Sequence, residues 1–236
     1  MTKYEEIAKS VRKDIIEGKY KINDQLPLEK QMCEEYSVSR ITIKKAIDEL
    51  VREGLIVKRR GAGTFVKNVD SIESKELSMS RQFSGFSASM EEKNVRSEII
   101  KFEVVNPDED IADKLRISQD DFVYKIIRAR YCNDIPFVIE YTYMPISLII
   151  GIKVEILKKS VYQYIENELK LKIKSAHRTI KAIKPNETDR KWLEIDENYP
   201  ILQIEQIGFL DDGRPFECST CHHKGDTIEF KTVSIK

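Results

Sequence analysis

Cysteine and histidine are scarce in this chain, long apolar runs are missing, and neither sign of charge prevails. Four cysteines (Cys33, Cys132, Cys218 and Cys221) in 236 residues do not suggest a disulfide framework. Three histidines, His177, His222 and His223, come without metal-ligand spacing or a nucleophile motif, so the expectation is no metal, no cofactor and no catalysis. No segment approaches the roughly 18 apolar residues of a membrane span. The opening Met1-Thr2-Lys3-Tyr4-Glu5-Glu6 lacks the apolar core of a signal peptide. A cytoplasmic protein with no membrane partner is therefore expected. Forty basic and forty acidic residues cancel, which by itself argues neither for nor against a nucleic-acid partner.

Hydrophobic residues make up 41% of the chain, enough for packed cores, and the length suits one large domain or two smaller ones. The charge is unevenly placed. Residues 1–68 hold 15 Lys and Arg against 11 Asp and Glu, whereas residues 69–236 hold 25 against 29. A weakly basic head followed by a weakly acidic body fits a chain of which only the head meets phosphate.

Tyr4, Ile7, Ala8, Val11 and Ile15 recur at helical spacing and predict a helix over 3–17. A second helix is expected over 28–36, a turn at Ser37-Val38, and a third helix capped by Ser39 with Ile43, Ala46, Ile47 and Leu50 as its apolar stripe. Gly54 closes it. Leu55-Ile56-Val57, the basic Lys58-Arg59-Arg60, Gly61-Ala62-Gly63 and Thr64-Phe65-Val66 then read as strand, tight turn and strand. The polar stretch 69–82 reads as a linker. Beyond it, strands are expected over 97–105, 121–132, 136–144, 175–184, 200–210, 215–223 and 227–235, with hairpin turns at Asn133-Asp134 and Asp211-Asp212-Gly213. Helices fit at 108–115, 160–169 and 186–194. The fold class is α+β, with a mainly antiparallel sheet in the body.

Two short helices joined by a tight turn form a helix-turn-helix, whose second helix enters the major groove. Arg40, Thr42, Lys44 and Lys45 are the outward residues at the start of that helix. Arginine pairs with guanine edges through two parallel hydrogen bonds, while hydroxyls and lysines mostly hold phosphates. Ser39 and the free N–H groups beside it suit a phosphate. Gly61 and Gly63 let the hairpin tip approach a sugar-phosphate backbone, with Lys58, Arg59, Arg60 and Thr64 around them. Each feature alone has an ordinary surface reading; their order and spacing together point to DNA.

Residues 4–66 resemble the DNA-binding domain of the GntR family of bacterial regulators. Its pattern Leu-Pro-Ser-Glu, Val-Ser-Arg-x-Thr-Val-Arg, Leu-x-x-Glu-Gly-Leu-Ile and Gly-x-Gly-Thr-Phe-Val is met by Leu26-Pro27-Leu28-Glu29, Val38-Ser39-Arg40-Ile41-Thr42-Ile43-Lys44, Leu50-Val51-Arg52-Glu53-Gly54-Leu55-Ile56 and Gly61-Ala62-Gly63-Thr64-Phe65-Val66. Leu28 stands where the family has a capping serine, and Lys44 where it has an arginine, which exchanges a two-pronged donor for a point charge. The resemblance implies a winged helix-turn-helix over 1–68 and a homodimer on an inverted-repeat operator.

In the body, Arg128 and Arg130 sit two apart on a strand and share a face. Two permanent cations on an internal face call for an anion; alternatively Glu140 and Glu217 pair with them across neighbouring strands. Residues 83–236 resemble the UTRA ligand domain of the HutC branch, through Arg128-x-Arg130, Ile135-Pro136, Glu140 and Tyr143-Met144-Pro145, and more loosely through Gly85-Phe86-Ser87, Ser160-Val161-Tyr162, Pro215-Phe216-Glu217 and Gly225-Asp226. The resemblance implies a chorismate-lyase-like fold, dimerisation, and an effector pocket lined by Phe86, Ser87, Arg128, Arg130, Glu140, Ser160, Tyr162, Glu217 and His223. A phosphorylated sugar is the expected effector, and release of DNA by it makes the chain a repressor. An enzyme acting on a small anionic metabolite is the alternative. Cys218-Ser219-Thr220-Cys221-His222 has the haem-attachment pattern, but it lies in an alternating strand where four ligands cannot easily converge on zinc, so ordinary strand residues are expected.

Overall fold

A computed structural model describes residues 2–67 and 95–228, and the chain divides into an N-terminal and a C-terminal compact unit. The expected linker 69–82, Phe86 and Ser87 lie outside the described residues, as does the expected strand 227–235 apart from Thr227 and Ile228.

The N-terminal unit contains α1 (Lys3–Ile16), α2 (Glu29–Glu35), α3 (Arg40–Arg52) and a hairpin of β1 (Ile56–Arg59) and β2 (Gly63–Val66). α1 buries Ile7, Ala8, Val11 and Ile15, and α3 buries Ile43, Ala46, Ile47 and Leu50. These stripes meet Leu26, Met32, Leu55, Ile56 and Val66 in one core, each large side chain contributing about 1.5–3 kcal/mol by leaving water. α2 lacks a capping hydroxyl because Leu28 precedes it, but Gln31 Oε1 accepts the Leu28 N–H at 2.8 Å and covers part of the loss. Helix endings set the path of the chain. Val38 N–H bonds Cys33 O and Ser37 N–H bonds Glu34 O, with Ser37 left-handed (φ 52°), which makes the turn between α2 and α3. The same pair of bonds ends α3 at Gly54 (φ 75°), whose missing side chain suits that conformation.

The C-terminal unit contains β3 (Val95–Val105), α4 (Glu109–Leu115), β4 (Val123–Cys132), β5 (Ile135–Pro145), α5 (Val154–Leu157), α6 (Val161–Asn167), β6 (Ile173–Ile183), α7 (Glu187–Leu193), β7 (Ile201–Leu210) and β8 (Pro215–Lys224). The six strands form one antiparallel sheet in the order β3-β4-β5-β8-β7-β6. Asn133 and Asp134, both at positive φ, supply the two-residue turn between β4 and β5. Alternation along β4 divides its residues between two faces. Ile126 packs with Leu157 of α5 and Val161 and Ile165 of α6. Ala129 and Tyr131 pack on the other side with Ile139 and with Leu193 of α7, while Ile111 and Leu115 of α4 cover Val123 and Cys218. The strand expected from 121 begins at Val123, because Asp121 is spent on a turn in which its carboxylate accepts the Ser118 N–H at 2.8 Å. α5 was not foreseen; four residues are too few to show a helical period.

Candidate nucleic-acid interface and buried polar cluster

Ser39 Oγ accepts the Thr42 N–H at 3.3 Å and lies 3.0 Å from Thr42 Oγ1, so the two hydroxyls sit together on the first turn of α3. Arg40, Lys44 and Lys45 are exposed, as the apolar stripe opposite them requires. Lys45 Nζ lies 6.0 Å from the centre of the Tyr4 ring. In the hairpin, the Arg59 guanidinium lies 4.7 Å from the centre of the Phe65 ring, which fixes its stem. Arg60 and Gly61 are exposed at the tip. Lys58, expected as a phosphate contact, is already engaged: its Nζ is 2.7 Å from Asp48 Oδ1 and 3.8 Å from Glu29 Oε1.

Gln25 was invisible to sequence reasoning. Its Nε2 donates to Ala62 O at 2.9 Å, and a Cβ on Gly63 (φ 116°) would lie 2.4 Å from that nitrogen. Leu26 N–H bonds Thr64 O and Val66 N–H bonds Asp24 O, so segment 24–26 is joined to β2 by a single antiparallel bridge at Gln25–Phe65. Gly63 thus serves close approach within the unit as well as a tight turn. No local pattern marks a single glutamine in a loop for such a task.

The cluster in the C-terminal unit forms on the α5–α6 face of the sheet. The neighbouring strands bring Arg128 opposite Glu140, and Glu140 opposite Cys221. Arg128 donates to Glu140 Oε2 at 2.6 Å and to Leu157 O at 2.9 Å, and Arg130 reaches the same Glu140 oxygen at 3.5 Å. Burial alone would raise the Glu140 pKa; the two arginines outweigh it and hold the carboxyl below its ordinary value. Burial lowers the Arg130 pKa, with Glu140 opposing.

Glu217 does not complete that pairing among the described residues. Its Oε1 accepts from Ser219 Oγ at 2.6 Å and from Gln206 Nε2 at 3.0 Å, and the same Gln206 nitrogen reaches the Tyr162 hydroxyl at 3.0 Å. Burial pushes the Glu217 carboxyl above its usual range despite those bonds. Arg178, also unforeseen, donates through Nε to Gln206 Oε1 at 2.6 Å, which extends the chain of polar groups across to β6. Burial depresses the His223 pKa to about 4, so its ring is neutral at pH 7. His223 Nδ1 and Arg128 Nε are buried without a hydrogen-bond partner among the described residues, a costly condition that a ligand would relieve. Ser160 caps α6, its Oγ accepting the Gln163 N–H at 3.3 Å.

The cysteine-histidine segment is divided by the strand. Cys218 packs with α4, and His222 on that same face holds Asp189 of α7 at 2.9 Å through Nδ1; Cys221 and His223 point to the opposite face. Burial raises the Cys218 thiol to about 11 and the Cys221 thiol further still, which disfavours the thiolate needed for metal or redox chemistry. Among the described residues no group of three His, Cys, Asp or Glu side chains is placed to hold a metal ion. No helix among them is long and apolar enough to cross a membrane.

The sequence profile of the bacterial regulatory proteins of the gntR family matches residues 3–66, and that of the UTRA domain matches residues 90–229. The chain is 39% identical to the HTH-type transcriptional regulator GmuR of Bacillus subtilis (strain 168), over the full length of both. It is 30% identical to the mannosyl-D-glycerate transport/metabolism system repressor MngR of Escherichia coli (strain K12), over 98% of this chain and 95% of that one. Among solved structures, the possible transcriptional regulator YydK of Bacillus subtilis subsp. subtilis str. 168 superposes with a TM-score of 0.76 at 27% identity, covering both chains completely.

Proposed function

Because the chain belongs to the GntR family of DNA-binding transcriptional regulators, with a UTRA domain behind its winged helix-turn-helix, we propose that it is a cytoplasmic, homodimeric repressor released from an inverted-repeat operator by a phosphorylated sugar. The head is residues 1–68, the linker 69–82 and the effector and dimerisation domain 83–236. Ser39, Arg40, Thr42, Lys44 and Lys45 approach the major groove, and Arg59, Arg60, Gly61, Gly63 and Thr64 approach the backbone, with Lys58 exchanging Asp48 for a phosphate. Arg128, Arg130, Ser160 and Ser87 take the anionic group; Glu140, Glu217, Tyr162, His223 and Phe86 take the rest of the molecule.

The observation that carries the effector reading is the buried Nε of Arg128, which lacks an acceptor among the described residues. On the same face of the sheet, a carboxyl of raised pKa, an amide and a phenol are grouped where they could bond hydroxyls. Anion at one end and polyol at the other is the chemistry of a sugar phosphate. Relatives named for mannosyl-D-glycerate and fructoselysine systems support a sugar-derived effector. The family consists of regulators, and the enzyme alternative has no support in it.

The test is a thermal-shift series with phosphorylated hexoses and disaccharides beside their unphosphorylated counterparts. At a ligand concentration about 100 times Kd the native state gains about 2.7 kcal/mol, so a phosphorylated member should raise Tm by several degrees and release an operator selected from random oligonucleotides. An equal response to the unphosphorylated sugar removes the anion from the reading.

A further inference from the structure

The recognition helix carries an apolar side chain that folding does not explain. Ile43, Ala46, Ile47 and Leu50 fix the inward direction of α3. At 100° per residue, Ile41 lies about 170° from that direction, at the centre of the outward face of the first turn. It is 70% exposed, more than any other large hydrophobic residue among those described. Arg40, Lys44 and Lys45 surround it, all exposed. A β-branched residue is a weaker helix former than alanine or lysine at such a position, and it gains nothing from burial in the free protein.

Its position on the helix supplies a use. An outward residue on the first turn of a recognition helix meets base edges in the major groove, where the apolar feature on offer is the C5 methyl group of thymine. We propose that Ile41 reads that methyl, so the operator half-site requires a thymine close to the base contacted by Arg40. Arg40 supplies hydrogen-bond readout and Ile41 supplies apolar readout, side by side on one turn. The inference rests on the placement of α3 against DNA and adds a base identity to it.

The experiment selects an operator from a random-sequence duplex library with the full-length protein, then replaces each thymidine in one half-site, one at a time, by deoxyuridine, which lacks only the methyl. One replacement should weaken wild-type binding about fourfold, the value of one buried methyl-sized contact. The same replacement should change the affinity of Ile41→Ala less than twofold, while that variant keeps its affinity for random-sequence DNA. If every deoxyuridine substitution is silent for the wild type, or the loss is undiminished in Ile41→Ala, the proposal is overturned while sequence-specific binding by the head stands. Should the wild type select no sequence at all, the placement of α3 fails and the proposal goes with it.

Discussion

Lys58 on the wing and Asp48 on the recognition helix hold each other at 2.7 Å, Nζ to Oδ1. The contact ties β1 to α3 in the free protein and cancels one of the charges that the wing would bring to DNA. Both side chains remain partly exposed, so the pair itself adds little stability. If Lys58 is to meet a phosphate, it must first leave Asp48.

Asp48→Asn should release that lysine. Affinity for random-sequence DNA is expected to rise, because Lys58 no longer has to leave a carboxylate, while the plot of log K against log salt keeps its slope. Lys58→Ala, added to Asp48→Asn, should flatten the slope by close to one phosphate contact, about 0.9. A salt titration by fluorescence anisotropy decides it; an unchanged slope in the double variant removes Lys58 from the DNA contact.

Gly63→Ala should loosen the wing from the rest of the head. The new Cβ would fall 2.4 Å from Gln25 Nε2, at a backbone φ of 116° that side chains rarely adopt. The conformational cost alone is of the order of 1–2 kcal/mol, and Gln25 must give up Ala62 O. The expected outcome is a lower melting temperature for the head and weaker operator binding. Gln25→Ala, which removes the clash and the tether together but leaves the glycine, should cost less. Equal melting temperatures for wild type and Gly63→Ala would contradict the close packing of the tip.

Arg128→Ala should destabilise the C-terminal unit by about 1.5–3 kcal/mol, because Glu140 loses its 2.6 Å hydrogen bond while Arg130 still faces it at 3.5 Å. Adding Glu140→Gln should not recover that loss, because Arg130 would then keep its buried charge without the carboxylate it faces at 3.5 Å. Neither variant is expected to respond to a phosphorylated sugar, and the double variant should still bind operator. Denaturant unfolding and calorimetry on the full chain separate the two effects. Undiminished effector affinity in the double variant sinks the anion site.

His223 should make the C-terminal unit acid-sensitive. Burial depresses its pKa from 6.5 to about 4, so between these values the unfolded chain binds a proton that the folded one refuses. The contribution is complete above pH 6.5 and is lost as pH falls through that window, at about 1.4 kcal/mol per pH unit. From pH 6.5 to 5 the loss is about 2 kcal/mol. His223→Gln should flatten this limb of the stability profile relative to wild type, measured by urea unfolding at each pH.

The sequence by itself determined what repeats locally. Ile43, Ala46, Ile47 and Leu50 declare a helix and its inner face, Ser39 declares its start, Gly54 its end, and Asn133-Asp134 a two-residue hairpin, because each depends on backbone geometry within a few residues. Ser39, Arg40 and the glycine-tipped wing were legible for the same reason, and Arg128 and Arg130 were legible as sharing one face. Tertiary structure alone decided which groups meet. Both arginines converge on Glu140, while Glu217 joins Ser219, Gln206 and Tyr162 instead. Gln25 supports the wing, and Asp48 claims Lys58. Apart from Glu217–Ser219, two residues apart on one strand, these contacts join residues 10 to 44 positions apart, and they follow from strand order and helix packing, which no local window of sequence encodes.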